Sequence, residues 1–261
     1  MNLLLLIITL VVVGTKTSAL CPNNPSDWCS NINSAKSCDV VKQCWDNVWS
    51  QRNQREKKDK SDLVEFTLYY ETLCPDCMEF MSSQILHAFL TVKEIMNLTL
   101  VPYGNANEIW RNETKLWQFS CQHGPDECWG NLLHTCVMYY KPKTDDHLPF
   151  ILCMEGNKVD DIQTAASKCG AQYSIDVDKI ESDCIYNRLG NGLQHNMAVK
   201  TDSLNPPHKY VPWITVNGKH TEEIQKRAEK DLVGLICETY QGTNKPEVCG
   251  KENTDRKCFK N

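Results

Sequence analysis

The chain has 261 residues and a formal net charge of −5. It carries no basic patch interleaved with aromatic residues, and both features argue against a nucleic-acid-binding protein. Its length allows one substantial hydrophobic core and a small additional segment. In the cytosol its 15 cysteines would suggest metal sites, whereas in an oxidising compartment most of them are expected to form disulfides.

The N-terminus has the features of a targeting segment. Residues 3–13 are apolar except for Thr9, and the small residues at 17–19 suit cleavage near Ala19. The apolar run is too short to span a bilayer comfortably, which makes a membrane anchor the less favoured alternative. We therefore predict a signal peptide over residues 1–19, entry into the secretory pathway and no stable membrane insertion.

Further features agree with that route. Sequons at Asn97-Leu98-Thr99 and Asn112-Glu113-Thr114 predict N-glycosylation of Asn97 and Asn112. A cysteine-rich segment over residues 20–50 has four cysteines that we expect to pair among themselves, namely Cys21, Cys29, Cys38 and Cys44. Residues 51–61 contain no apolar side chain and form a basic, solvated linker.

The main domain, predicted over residues 62–241, begins with a strand–helix–strand unit. Residues 63–70 are rich in β-branched and aromatic side chains, as in a buried strand. Directly after them comes Cys74-Pro-Asp-Cys77, and apolar residues over 78–90 then recur at helical spacing. A second strand is predicted over residues 98–101, so the Cys-X-X-Cys motif lies at the N-terminus of the intervening helix.

A second half of this domain follows far downstream. Residues 210–216 are strand-like, Asn217-Gly218 is a strong turn signal, and apolar residues up to Tyr240 mark a closing helix. Between the halves, about residues 106–207 are predicted to be a mostly helical, disulfide-rich insertion. The sequence therefore predicts an α/β fold, and the tail over residues 242–261 is polar again.

The Cys-X-X-Cys motif points to disulfide exchange. Cys74 is placed as the nucleophile, because the helix N-terminus favours a thiolate, and Cys77 is placed one turn later to resolve a mixed disulfide. The Asp76 carboxylate is expected to oppose the fall in the Cys74 pKa. The alternatives are a purely structural disulfide or half of a zinc site, but there is no second Cys-X-X-Cys, so no metal is expected.

Val211-Pro212 is a candidate second part of the site. In thioredoxin-like folds a cis-proline precedes a sheet strand and faces the cysteine pair, and Pro212 stands at the matching position. We therefore predict a cis bond here, with Val211 contacting the backbone of the substrate. An ordinary proline in an edge strand is the alternative.

These residues together resemble the gamma-interferon-inducible lysosomal thiol reductase family. The resemblance covers residues 63–258, and its most specific part is the signature Cys121-Gln-His-Gly-Pro-Asp-Glu-Cys128, continued through Asn131 to Cys136. Further matching segments are Cys74–Cys77, Leu100–Ala106, Pro206–Trp213 and Cys237–Gly242.

The resemblance implies a thioredoxin-like core that reduces protein disulfides at acid pH in endosomes and lysosomes. That reaction aids unfolding and proteolysis and, in vertebrates, antigen processing. No bound cofactor is implied, since an external thiol such as cysteine or glutathione supplies the electrons. Residues 20–50 resemble a saposin A-type propeptide, which would be trimmed from the precursor together with part of the tail.

Nine cysteines remain after these assignments, an odd number, so one is free or joins two chains. Cys249 and Cys258 are candidates for a disulfide-linked precursor dimer. Cys128 and Cys136 would lie about 12 Å apart on one helix, too far to pair. His123 more often caps or packs a loop than acts in catalysis.

Two other functions stay open at this point. A disulfide oxidase or isomerase of the secretory pathway uses the same motif, but the last residues lack a KDEL-type retention signal. A saposin-like lipid-binding protein would depend on the N-terminal cysteines, although that segment is short for a complete saposin fold.

Overall fold

The computed structural model describes residues 21–22, 24–29, 32–38, 40–45, 63–156 and 161–250. The predicted signal peptide, the linker over residues 51–61 and Cys258 lie outside them. Among the described helices, none combines the length and the apolar character needed to cross a membrane. The chain divides into two compact units, residues 1–54 and 55–261.

The described residues of the N-terminal unit form three short helical segments and two disulfides. The segments are a 3₁₀ turn over Pro25–Asp27, α1 over Ile32–Ser37 and α2 over Val41–Cys44. Its four cysteines pair as Cys21–Cys38 and Cys29–Cys44. The prediction that these cysteines pair among themselves is confirmed.

The second unit opens with the predicted strand–helix–strand arrangement. Strand β1 covers Val64–Tyr70 and pairs in parallel with β2, Met96–Pro102. Alternate side chains of β1 are buried, as expected for a strand covered on one face. The connection is helical and consists of α3 over Pro75–Phe80, a π-helical stretch over Met81–Ile85, α4 over Leu86–Val92 and a 3₁₀ turn over Lys93–Ile95.

The downstream half completes the core. Strand β5, Trp213–Val216, pairs antiparallel with β1 and gives the sheet order β2-β1-β5. Asn217 and Gly218 both have positive φ and form the predicted turn. Helix α10, Glu222–Thr239, then packs on β5 and on the helix that follows the cysteine pair. These elements form the predicted thioredoxin-like core.

The insertion is mostly helical, as predicted, but it begins with a β-hairpin that the sequence did not reveal. Strands β3 and β4 cover Asn107–Arg111 and Leu116–Ser120. Most of their residues are exposed, so the apolar alternation that marks a half-buried strand is weak. The helices that follow are α5, Pro125–Tyr140; α6, Thr144–Gly156; α7, Ile162–Tyr173; α8, Val177–Ile180, continued by a π-helical stretch, Glu181–Ile185; and α9, Arg188–Asp202.

Disulfides tie these helices together. The pairs in this unit are Cys121–Cys128, Cys136–Cys184, Cys153–Cys169 and Cys237–Cys249. Cys128 and Cys136 accordingly do not pair with each other, as expected. The suggestion that Cys249 joins two chains is wrong, because Cys249 lies in a 3₁₀ turn, Glu247–Gly250, and its sulfur is bonded to that of Cys237 on α10.

Candidate active site

Cys74 and Cys77 occupy the first turn of α3 as free thiols. Cys74 is the N-cap residue, and its sulfur accepts a hydrogen bond from the backbone N–H of Cys77 at 3.4 Å. Pro75 fits the first helical position, where its missing N–H removes no helical hydrogen bond. The backbone therefore directs an unpaired helical N–H group at the first sulfur, as the sequence predicted.

The two thiols differ strongly in acidity. The hydrogen bond from the Cys77 thiol, assisted by the backbone N–H groups of Cys77 and Asp76, lowers the pKa of Cys74 to about 7 against the opposing effect of burial. Burial raises the pKa of Cys77 well above its ordinary value, and its interaction with the Cys74 sulfur adds to that increase. The pair consequently holds one ready nucleophile and one protonated partner.

The carboxylate that opposes this activation is Glu71. Its negative charge raises the pKa of Cys74, whereas Asp76 acts on the sulfur through its backbone N–H and lowers it. Asp76 is exposed, and Glu71 is fully buried. Sequence reasoning expected the opposing charge on Asp76, because Asp76 is adjacent along the helix. The structure assigns it to the loop before Cys74.

That loop is held by the signature segment. The backbone N–H of Thr72 donates to Asn131 Oδ1 at 2.8 Å, and the Thr72 hydroxyl donates to the Glu127 carbonyl at 3.0 Å. A side chain at position 130 would collide with Thr72, which explains the glycine there. Leu73 has a φ of 64°, in the left-handed region that non-glycine residues rarely adopt. The signature thus fixes the backbone that presents Cys74.

His123 lies between two buried carboxylates. Its Nδ1 contacts Glu127 Oε2 and lies 3.6 Å from Glu71 Oε1. Glu127 also accepts the backbone N–H groups of Gln122 and His123, both at 3.1 Å. Burial lowers the pKa of His123, but its hydrogen bond to Glu127 and the charges of Glu127, Glu71 and Cys74 raise it overall. These contacts fit the interpretation that His123 packs the loop. They also bring the positive charge of the protonated imidazole close enough to Cys74 to interact with it.

The same three residues form the group in the described chain that could hold a metal ion. Candidate ligand atoms of Glu71, His123 and Glu127 all lie within 4.8 Å of one another. However, Glu127 already accepts two backbone N–H groups and contacts the imidazole, so its carboxylate is satisfied without an ion. The expectation that the site has no metal stays a prediction.

A second polar cluster lies buried behind the cysteines. Tyr70 Oη is 3.0 Å from His134 Nδ1, which is 3.8 Å from Glu155 Oε1 on α6. Burial raises the pKa of Glu155 to about 8, with a further contribution from the charge of Cys74, and burial lowers the pKa of His134 to about 3. Both groups are therefore uncharged over a wide pH range.

The bond Val211–Pro212 is cis, as predicted, and so is Asn205–Pro206, which the sequence did not single out. Because Trp213 pairs with Tyr69, residues 211–212 enter the sheet at the edge where β1 ends and the loop to Cys74 begins. The Pro212 carbonyl accepts a hydrogen bond from Gln225 on α10 at 2.9 Å. The proposed contact between Val211 and the substrate backbone stays a prediction.

The two predicted glycosylation sites lie away from the cysteine pair along the chain, and both are exposed. Asn97 lies on β2, and Asn112 is the first residue of the β3–β4 turn. Two tryptophans stack on histidine rings: Trp213 on His220 with ring centroids 3.4 Å apart, and Trp117 on His195 at 4.1 Å.

Sequence reasoning missed several residues that surround Cys74. Glu71 and Thr72 lie one residue before the predicted motif, but nothing local indicates that they are buried. Glu155 offered a usable signal, since it ends a run of apolar residues, Leu148–Met154, interrupted only by its cysteine and proline. An acidic residue within such a run is a candidate buried carboxyl group.

Comparison with known families agrees with the geometry of this site. The family model described as "Gamma interferon inducible lysosomal thiol reductase (GILT)" matches residues 65–173. The Saposin A-type domain model matches residues 18–50. The first match contains the cysteine pair, the loop before it and the signature segment, and the second contains the four N-terminal cysteines.

Curated relatives extend the match over most of the chain. A gamma-interferon-inducible lysosomal thiol reductase from Carassius auratus is 40% identical over 244 residues, covering 92% of this chain and 89% of the relative. The protein of that name from Mus musculus is 39% identical, covering 76% of this chain and 77% of its own. A gamma-interferon-responsive lysosomal thiol protein from Arabidopsis thaliana is 36% identical, covering 73% and 77%.

Among solved structures, a thioredoxin-like oxidoreductase from Silicibacter pomeroyi DSS-3 aligns with a TM-score of 0.42 and 11% sequence identity, over 64% of this chain and 84% of that one. The family assignment depends on the sequence relatives, whose similarity spans both the core and the insertion. The chain belongs to the gamma-interferon-inducible lysosomal thiol reductase family and is a thiol–disulfide oxidoreductase.

Proposed function

We propose that the protein reduces disulfide bonds of other proteins at acid pH in endosomes and lysosomes, where reduction aids unfolding and proteolysis. The observation that carries this proposal is the unequal cysteine pair. One sulfur accepts helical N–H groups and has a pKa lowered to about 7, and the other is buried with a raised pKa. The relatives named as lysosomal thiol reductases support the compartment.

The reaction follows from these roles. The Cys74 thiolate attacks one sulfur of the substrate disulfide, that S–S bond breaks, and the other substrate sulfur leaves and takes up a proton. Cys77 then loses its proton and attacks the Cys74 sulfur, which releases the second substrate thiol. Two electrons have passed to the substrate, and the enzyme holds a Cys74–Cys77 disulfide. An external thiol such as cysteine or glutathione restores the dithiol.

The lowered pKa of Cys74 supports activity in acid. With a pKa of about 7, roughly one thiol in 100 is ionised at about pH 5, against roughly one in 3,000 for an ordinary cysteine. Part of the remaining deficit is offset, because the Cys74 thiolate is a stronger nucleophile than the thiolate of a cysteine with a still lower pKa would be. The six disulfides of the described chain also fit an extracellular or lysosomal protein.

The test is the reduction of a disulfide-bonded protein at about pH 4.5 and at about pH 7 by the wild type, Cys74→Ser and Cys77→Ser. We expect activity at acid pH in the wild type and its loss in Cys74→Ser. Cys77→Ser should accumulate a mixed disulfide with the substrate, visible on non-reducing gels and by mass spectrometry.

Activity that persists in Cys74→Ser would contradict the assignment of the nucleophile. A wild type that is active only at neutral pH, or that forms disulfides faster than it breaks them, would favour the oxidase or isomerase function instead.

A further inference from the structure

The β3–β4 hairpin presents an aromatic ring beside a predicted glycosylation site. Its last paired residues are Arg111 and Leu116, so residues 112–115 form the turn. Lys115 has a φ of 56°, and its N–H donates to the Arg111 carbonyl at 2.9 Å, which closes the turn. Asn112 is the first turn residue, with its side chain exposed to solvent.

Helix α9 fixes this turn from below. Asn191 accepts the backbone N–H of Trp117 at 2.9 Å and donates to its carbonyl at 2.7 Å. Arg188 donates to the Lys115 carbonyl at 3.1 Å. The Trp117 ring stacks on His195. These contacts make the turn rigid, so groups on it keep a fixed relation to one another.

Trp110 lies directly beside Asn112. Its Nε1 donates to Asn112 Oδ1 at 3.1 Å, so the two side chains share one face of the hairpin. The indole packs against Trp117 in a tilted arrangement, with ring centroids 5.3 Å apart and an interplanar angle of 63°, yet 42% of Trp110 stays exposed. Asn112 Nδ2, the atom that carries a glycan, makes no hydrogen bond to the described residues.

We infer that Trp110 is the binding platform for the first N-acetylglucosamine of a glycan on Asn112. The C–H groups on one face of a pyranose ring carry partial positive charge and are attracted to the electron-rich face of an indole. The hydrogen bond to Oδ1 orients Asn112 so that Nδ2 is free for the sugar. The platform also accounts for a large aromatic side chain exposed at the tip of a hairpin.

The other sequon lacks this arrangement. Asn97 lies on β2, and its Nδ2 donates to Glu65 Oε2 at 2.6 Å. A glycan on Asn97 would replace one hydrogen of that amide without the sugar contacting Trp110. Asn97 is therefore an internal control, because its glycan should not be coupled to Trp110.

The inference rests on occupancy of Asn112 and not on the redox chemistry, so it is tested separately. The protein is produced in a eukaryotic secretory host as the wild type, Trp110→Ala, Thr114→Ala and the double variant. Mass spectrometry measures occupancy, and thermal unfolding measures Tm. Thr114→Ala abolishes the sequon but keeps Asn112 and its hydrogen bond to Trp110, and Thr114→Ser is the matched control that keeps the sequon.

We expect Thr114→Ala to lower Tm by about 2–4 °C when Trp110 is present and to have no such effect in Trp110→Ala. Thr99→Ala, which abolishes the Asn97 sequon, should change Tm equally in both backgrounds. Trimming the folded wild type to a single N-acetylglucosamine should keep its Tm, since only the first sugar contacts the ring.

An unoccupied Asn112 would overturn the inference. An equal effect of Thr114→Ala with and without Trp110 would overturn it as well. Trp110→Phe guards against misfolding of the alanine variant, because a phenylalanine ring should retain a measurable part of the coupling.

Discussion

The acidity of Cys74 depends on which neighbouring carboxylate interacts with its sulfur. Glu71 is separated from Cys74 by two residues and is buried, whereas Asp76 is closer along the helix but exposed. Burial matters because solvent screens an exposed charge far more than a buried one. Position along the chain is thus a poor guide to electrostatic effect at this site.

We expect Glu71→Gln to lower the pKa of Cys74 further below about 7, because it removes the buried negative charge while keeping a similar shape. Asp76→Asn is the matched control. It should leave the pKa nearly unchanged, since Asp76 acts through its backbone N–H. The measurement is the ultraviolet absorbance of the thiolate as a function of pH. A larger fall in Asp76→Asn than in Glu71→Gln would contradict the assignment.

At the scale of elements, the loop from Glu71 to Leu73 depends on the first turns of α5. Asn131 accepts the Thr72 N–H, and the Glu127 carbonyl accepts its hydroxyl. Glu71 is held from the other side, where its Oε2 accepts the Asn105 N–H at 2.7 Å. The insertion therefore supports the catalytic loop directly, in addition to covering the core.

We expect Asn131→Ala to destabilise the protein by about 1–3 kcal/mol, because it leaves the buried Thr72 N–H without a partner. Its reductase activity should fall as well, since the loop that presents Cys74 loses its support. Asn196→Ala, at an exposed position on α9, is the matched control and should change stability by less than about 0.5 kcal/mol. Urea unfolding and the reduction assay measure the two effects, and equal stabilities would exclude the supporting role.

Local signals explain which elements the sequence predicts well. Strand β1 has a clear alternation of buried side chains, and the cysteine helix begins with a proline at its first helical position. A short window of residues therefore identifies both elements. The hairpin over Asn107–Ser120 is exposed and anchored by α9, and its pattern carries little information. Glu155 approaches the cysteines only after α6 packs against the core, which no local pattern encodes.

At the scale of the whole molecule, the pH dependence of stability reflects two buried groups, Glu155 and His134, whose pKa shifts act in opposite directions. Folding raises the pKa of Glu155 from 4.5 to about 8, so the folded state retains a proton that the unfolded state loses between these values. The contribution of protonated Glu155 to the free energy of unfolding is fully present below about pH 4.5 and is lost as the pH rises through about 8. His134, with a pKa lowered to about 3, acts in the opposite sense, and its contribution is lost as the pH falls below about 6.5.

We expect Glu155→Gln to stabilise the protein at neutral pH relative to the wild type, by an amount on the order of a few kcal/mol that shrinks toward pH 4.5. The reason is that the wild type must take up a proton on Glu155 to fold at neutral pH, because this carboxyl group is ionised in the unfolded chain, whereas glutamine needs no proton. Glu223→Gln, at an exposed position on α10, is the control and should show no comparable trend. Thermal unfolding from acid to neutral pH measures it, and a stabilisation independent of pH would contradict the linkage.

The six disulfides described above have a consequence for an enzyme of this chemistry. A protein that works among reducing thiols and breaks S–S bonds must not be unfolded by the same reaction. The sulfurs of Cys136, Cys169 and Cys184 belong to fully buried residues, so an attacking thiolate cannot approach them while the fold is intact. Burial thus protects the Cys136–Cys184 bond by access alone, since both of its sulfurs lie inside the fold, whereas an unfolding substrate protein exposes its disulfides to Cys74.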